Sequence, residues 1–135
     1  MGPRVMMHPE FLSRDTSSLT RVSSGGAHLS KHMQDLIGKY FPQAAHSIGQ
    51  GYGSSESCGV ITSIGGQDFK DNPDSAGSPC LGYEVEIRDS DNNPLGEGDE
   101  GEIHVRSAYS MLRYWGNDTA TAETIKQGRW LAMGD

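Results

Sequence analysis

Long apolar runs are missing from this chain of 135 residues; none approaches the roughly 18 residues that a membrane-crossing helix needs. No charged-then-apolar leader opens it either, so neither an integral membrane protein nor a signal-bearing secreted one is expected. Cysteine is scarce. Cys58 and Cys80 form no CxxC pair and no disulfide framework, which fits a reduced, cytoplasmic chain. Leu, Ile, Val and Phe together number only 23, thin for a self-sufficient core. Basic blocks are absent as well. Residues 1–50 carry five Lys and Arg against three Asp and Glu, whereas residues 51–135 carry six against fifteen, for a net charge of −7. A nucleic-acid reader needs clustered cations on one face, so no nucleic-acid partner is expected. A cation held by carboxylates stays open.

Glycine is what the chain has in excess, 18 of 135 residues. The glycines fall in short clusters, Gly25-Gly26, Gly49/Gly51/Gly53, Gly65-Gly66 and Gly96/Gly98/Gly101, which read as tight loops between patterned segments. Residues 8–15 read as the tail of a short helix, and Leu19 to Ser23 as a strand running into Ser24-Gly25-Gly26-Ala27. Apolar positions 29, 33, 36, 37, 40 and 41 recur at helical spacing until Pro42 stops the helix. His46 to Gly51 reads as a second strand ending in another Gly-rich loop. Strand, loop, helix and strand make a βαβ-like fragment, whose ligands belong at the carboxyl ends of its strands.

The second half changes character. Residues 83–89 and 101–107 alternate with period two around the turn signal Asn92-Asn93-Pro94-Leu95-Gly96. They predict an antiparallel hairpin with Val85, Ile87, Ile103 and Val105 on its inner face. Asn117-Asp118 cap a helix expected through about Lys126, and residues 129–133 form a last short strand. The fold class is mixed α/β: the end of an α/β lobe followed by a small antiparallel β-sheet or barrel lobe.

The stretch richest in chemistry is Gly49-Gln50-Gly51-Tyr52-Gly53-Ser54-Ser55-Glu56. An aromatic ring for a base, N–H and O–H donors for phosphate and a carboxylate for Mg²⁺ lie within a few residues. Composition alone favours a plain Gly/Ser turn with an incidental Glu. The order of motifs narrows the choice. Ser24-Gly25-Gly26-Ala27, Tyr52-Gly53-Ser54-Ser55-Glu56, Gly101-Glu102-Ile103, Tyr114-Trp115 with Asp118 to Ile125, and Trp130-Leu131 with Gly134-Asp135 follow one another along the chain. This series resembles the adenylate-forming acyl-CoA synthetases over nearly the whole chain, from about Ser18 to Asp135.

The resemblance implies a reaction and a set of contacts. A carboxylic acid, a fatty acid first, attacks MgATP to give acyl-AMP and pyrophosphate, and coenzyme A then takes the acyl group. It places the Gly25, Gly26 and Ala27 backbone near the adenine, and Gln50, Gly51, Gly53 and Ser54 around the nucleotide and the acyl tunnel. Tyr52 lies against the adenine, Ser55 bonds the α-phosphate, Glu56 holds Mg²⁺, and Asp135 takes the ribose hydroxyls. Ser55 and Glu56 are the expected catalytic pair. Residues 1–64 then read as the C-terminal part of an α/β adenylate-binding lobe, 65–79 as a linker and 80–135 as a β-rich lobe. Ser55 stands where the family has Thr, Arg113 where Gly precedes Tyr-Trp, and Met133 where Thr precedes Gly-Asp. An aryl-CoA ligase, a peptide-synthetase adenylation domain, and a non-catalytic nucleotide-binding or self-associating remnant are the alternatives.

Other constellations read as structural. His28 and His32 lie four apart but lack an evident third ligand. Asp89, Asp91, Asn93 and Glu100 match a calcium loop except that Pro94 occupies the position of its Gly, and the flanks read as strands. His46 and His104 read as structural and Cys58 as an inert thiol. Ser54 and Ser55 lack the context of a hydrolase nucleophile.

No Ser/Thr/Gly-rich loop ending in Pro-Lys-Gly, the family's triphosphate binder, occurs in these residues. That loop would precede Met1, and the family's hinge and catalytic Lys would follow Asp135, so the chain reads as a slice of a larger domain. By itself it is expected to make no acyl-CoA. Pyrophosphate release with MgATP and a panel of acids checks this, and turnover above a Glu56→Ala control would count against it.

Overall fold

Ser30 begins the longest helix. Its Oγ accepts the Met33 N–H at 3.4 Å, and α2 runs over Lys31–Tyr40. Phe41 leaves helical geometry at φ −131° ahead of Pro42, so the helix stops where the sequence places the stop. The computed structural model describes residues 2–135. Along the chain lie α1 (Gly2–Met6), β1 (Val22–Gly25), α2, β2 (Ile48–Ser54), β3 (Gly59–Gly65), α3 (Gly66–Asp71), β4 (Ser78–Pro79), β5 (Tyr83–Arg88), β6 (Glu102–Ser107), α4 (Asp118–Thr124) and β7 (Leu131–Ala132). Strands β1 to β4 are hydrogen-bonded neighbours in chain order, and β5, β6 and β7 form a second sheet. None of the helices among the described residues is long and apolar enough to cross a membrane.

The chain divides into two compact units, one holding residues up to Gln50 with Ile64–Gly77, the other Gly51–Ser63 with Ser78–Asp135. The first unit is built on one apolar cluster: Met6, Phe11, Leu29, Ile37, Phe41, Ala44, Ile48 and Phe69 are all buried. Phe11 packs edge-on against Tyr40 and Phe41, with centroids 5.5 and 5.4 Å away. Only a single turn, Phe11–Ser13, forms in the segment expected as a helix tail. The first strand begins three residues later than the pattern suggests, because the Leu19 N–H is spent on the Thr16 carbonyl in a turn. Helix α3 forms inside the stretch expected as a linker, driven by Phe69, which is 1% exposed.

A larger departure concerns the glycines at 49, 51 and 53, which lie in β2 and not in a loop. A Cβ on Gly53 would stand 2.2 Å from the Gly59 carbonyl oxygen, and one on Gly49 would stand 2.5 Å from that of Ile64. The bare backbone of β2 therefore lies directly against β3, and these pairings run antiparallel. The reason is the spacing: glycine at every second position of a strand clears one face of side chains.

In the second unit, β5 pairs antiparallel with β6 in the register Val85↔Val105 and Ile87↔Ile103, and β7 adds through Val105↔Leu131. Ile61, Val105 and Leu131 are fully buried. The expected inner face is only part of the account, since Val85, Ile87 and Ile103 are half-buried while His104 and Arg88 on the opposite face are buried. Trp130 covers that polar face. Its ring takes the guanidinium groups of both Arg88 and Arg106, whose central carbons lie 4.5 and 4.7 Å from the ring centroid. Glu86 and Glu84 hold the two arginines in place, the former at 2.9 Å from Arg88 Nε and the latter at 3.0 Å from Arg106 Nε. The turn after β5 is an aspartate turn, with Asp89 Oδ1 accepting the Asp91 and Asn93 N–H groups at 2.9 and 2.8 Å. Asn117 Oδ1 caps α4 through the Ala120 N–H at 3.0 Å, and the helix ends at Thr124, two residues early, where Ile125 bridges to Leu131.

Trp130→Ala should destabilise the protein by about 3–5 kcal/mol, since a buried ring and two cation–π contacts go together. Trp115, 95% exposed, should tolerate Ala within about 0.5 kcal/mol. Urea unfolding of both variants measures the contrast.

Candidate functional site

The alternation that bares one face of β2 puts Tyr52 and Ser54 on the other. The turn that follows is closed by a serine absent from the sequence-derived set. Ser57, fully buried, accepts the Ser54 N–H at 3.1 Å, and its hydroxyl lies 2.9 Å from the Ser54 carbonyl and 2.8 Å from that of Gly59. Ser54 Oγ returns a bond to the Ser57 N–H at 3.3 Å. The main chain of this turn is also held from outside, because the Glu56 carbonyl takes the Met111 N–H at 2.8 Å and the Ser57 carbonyl takes the Tyr83 hydroxyl at 2.9 Å.

Glu56 on this turn and Asp135 line one cleft of about 380 Å³. Tyr114 Oη donates to Glu56 Oε1 at 2.7 Å, and Tyr52 Oη donates to Asp135 Oδ2 at 2.6 Å. Tyr114 is itself placed by α4: its N–H meets Thr121 Oγ1 at 3.1 Å, and Thr121 bonds the Asn117 carbonyl at 2.7 Å. Asp135 is likewise held, its carbonyl accepting the Ile103 N–H at 3.1 Å. Glu102 and Glu123 complete four carboxylates on the cleft wall, against Lys126 as the one Lys or Arg among the described lining residues.

The pairing shifts both partners in the expected sense. The Tyr114 hydroxyl keeps the Glu56 carboxyl below its ordinary value, and the hydrogen bond it gives to Glu56 raises the Tyr114 phenol. Burial, then the bond to Asp135, pushes the Tyr52 phenol far up. Glu56 thus stays charged and Tyr52 stays a neutral donor at any physiological pH. Among the described residues no group of three or more His, Cys, Asp and Glu is placed to hold a metal ion. A divalent cation in this cleft would therefore need oxygen ligands from outside the protein, the usual manner of Mg²⁺.

The structure brings Tyr52, Gly53, Ser54, Glu56 and Asp135 of the sequence-derived set onto this one cleft. Ser55 lies exposed at the turn, outside the lining. Gly51 stands in β2 with a Val60 methyl 2.8 Å from where its own Cβ would be. Gly25, Gly26 and Ala27, in the other unit, are exposed around a positive φ at Gly26. Gln50, also there, is 8% exposed with its amide committed, accepting from the Leu29 N–H at 3.1 Å and donating to the Ser75 carbonyl at 2.7 Å. Tyr114 and Glu102 were visible only as members of motifs, and nothing in the sequence marked Ser57 apart from its neighbours.

A carboxyl held low in the folded state contributes stability above its unfolded value and loses it as pH falls through the folded value. Tyr114→Phe should therefore move the Glu56 titration up toward the ordinary range. The stability gap between the two proteins should be full at neutral pH and close in acid. NMR titration of Glu56 with acid-unfolding curves tests the pairing; an unmoved carboxyl would show that Tyr114 does not act on it.

The sequence profile of a family described as AMP-binding enzyme matches residues 3–115. The chain is 36% identical over 125 residues to 4-coumarate–CoA ligase 1 of Arabidopsis thaliana, covering 90% of this chain and 22% of that protein. It is 33% identical over 135 residues to a long-chain-fatty-acid–CoA ligase of Escherichia coli O157:H7, covering 97% of this chain and 22% of the other. It therefore spans under a quarter of the length of these relatives. Among solved structures, the anthranilate CoA ligase AuaEII in complex with anthranoyl-AMP superposes with a TM-score of 0.79 at 28% identity, over 97% of this chain and 24% of that one. With the profile spanning most of its residues, this chain belongs to the AMP-binding enzyme family of adenylate-forming ligases.

Proposed function

We propose that the chain supplies the adenylate-contacting cleft of an AMP-forming acid–CoA ligase. In the proposed reaction a carboxylate oxygen attacks the α-phosphorus of ATP and pyrophosphate leaves. The thiol of coenzyme A then takes the acyl group, releasing AMP. The observation that carries the reading is the pair of phenol–carboxylate contacts on one cleft, Tyr52–Asp135 and Tyr114–Glu56. The Tyr52 ring lies against adenine and the Asp135 carboxylate takes ribose hydroxyls. Ser55 bonds the α-phosphate, and the charged Glu56 binds Mg²⁺ that phosphate oxygens share. Gly51, Gly53 and Ser54 line the nucleotide and acyl path. Positioning and charge neutralisation at phosphorus do the work.

The acid we propose is a fatty acid, with an aryl acid as the second reading because a 4-coumarate ligase matches as well as a fatty-acid ligase does. Two free cysteines support a reducing, cytoplasmic setting. Self-association is also proposed, since Leu81, Leu112 and Trp115 are 97%, 80% and 95% exposed. A clean monomer by light scattering at micromolar concentration would remove that part.

Nucleotide titration tests the central reading. AMP should bind weakly, on the order of millimolar, and better than ATP, because no residue of this chain is proposed for the β- and γ-phosphates. Tyr52→Ala should weaken it further. Micromolar ATP binding indifferent to Tyr52 would place the site elsewhere.

A further inference from the structure

Glu102 lines the same cleft, and no role for it follows from the contacts proposed above. Its carboxylate faces two ways. Oε1 accepts the Gly134 N–H at 3.0 Å, and Oε2 lies 3.3 Å from His104 Nε2. His104 is 2% exposed, and its Nδ1 is buried with no hydrogen-bond partner. The bond to Glu102 puts the ring proton on Nε2 and leaves Nδ1 a bare acceptor. A buried acceptor without a partner costs stability, so the ring is a poor choice for packing alone.

The other end of the carboxylate meets a segment with its own difficulty. The Met133 N–H and the Asp135 carbonyl both bond Ile103, at 3.0 and 3.1 Å. The Gly134 N–H between them points away from that strand, at a residue whose φ is +77°. Glu102 satisfies that N–H. One residue further, the Asp135 carboxylate receives the Tyr52 hydroxyl at 2.6 Å.

We propose that Glu102 is a positioning residue, clamping the Gly134–Asp135 segment so that the Asp135 carboxylate stays on Tyr52, with His104 as the brace behind the clamp. Its meaning for nucleotide binding rests on the reading of Tyr52 and Asp135 given above; the clamp does not.

NMR of the 135-residue chain with isotope-labelled tyrosine and glycine tests it without any nucleotide. In Glu102→Ala the Gly134 amide should exchange roughly ten- to a hundredfold faster, while the amides pairing β5 with β6 keep their protection. The Tyr52 phenol should titrate lower as Asp135 drifts from it. Glu102→Gln, which keeps an oxygen for Gly134, should restore both. His104→Leu removes the orphaned acceptor and should hold or raise the unfolding midpoint, yet still speed Gly134 exchange severalfold, an effect that packing alone would not produce. Wild-type Gly134 exchange and Tyr52 titration in Glu102→Ala would overturn the clamp. So would a Gln variant that rescues neither. If Glu102→Ala fails to fold, His104→Leu decides: unchanged exchange overturns the proposal. Variants that loosen Gly134 and Tyr52 but bind AMP as the wild type does would uphold the clamp and remove its link to nucleotide.

Discussion

A tyrosine hydroxyl can hold a carboxylate in place without cancelling its charge, and the cleft depends on that property twice. An Arg or Lys in the position of Tyr52 or Tyr114 would fix Asp135 or Glu56 as firmly, but would form a neutral ion pair. The phenol is a donor of no net charge, so each carboxylate keeps its full charge while losing its freedom to rotate away. With Lys126 as the single cation on the described wall, the cleft retains the negative potential that a divalent cation and a set of hydroxyl donors can use.

Both phenols work only because the backbone beneath them is rigid. Tyr52 stands on a strand whose opposite face is bare glycine laid against β3, so it cannot shift without moving two strands. Glu56 stands on a turn closed by a buried serine and fastened at Met111 and Tyr83. Six polar contacts, two of them sharing the Ser57 hydroxyl proton, make that turn a fixed support and not a mobile loop. The cost is local strain at Cys58, with φ +57°.

The polar face of the second sheet follows a related logic. Trp130 covers two arginines by packing its ring against both, and each arginine is held by a glutamate of β5. Guanidinium groups permit this because their planes are weakly hydrated and stack on a ring while their edges still donate. The period-two pattern predicts one covered face, and the ring supplies a second one that alternation cannot reveal.

The sequence by itself determined the elements whose causes are local. Helix α2 follows from apolar spacing, the Ser30 cap and Pro42; the β5–β6 hairpin follows from alternation around an Asn-Asn-Pro turn; the cap of α4 follows from Asn117. Five motifs in order also sufficed to name the family, because their identities and spacing lie in the chain itself. Tertiary structure alone decided the rest. Strand β3 and its partner β4 carry no alternation, and α3 exists because one phenylalanine finds a core. Gly49, Gly51 and Gly53 look the same in a sequence whether they form a loop or a flat strand face, since the distinction lies in what stands opposite. The site divides along the same line: Tyr52, Glu56 and Asp135 were legible as candidates, but the pairings Tyr52–Asp135 and Tyr114–Glu56 were not. Tyr52 and Asp135 are 83 positions apart and Glu56 and Tyr114 are 58, and only the folded backbone brings such separations within a hydrogen bond.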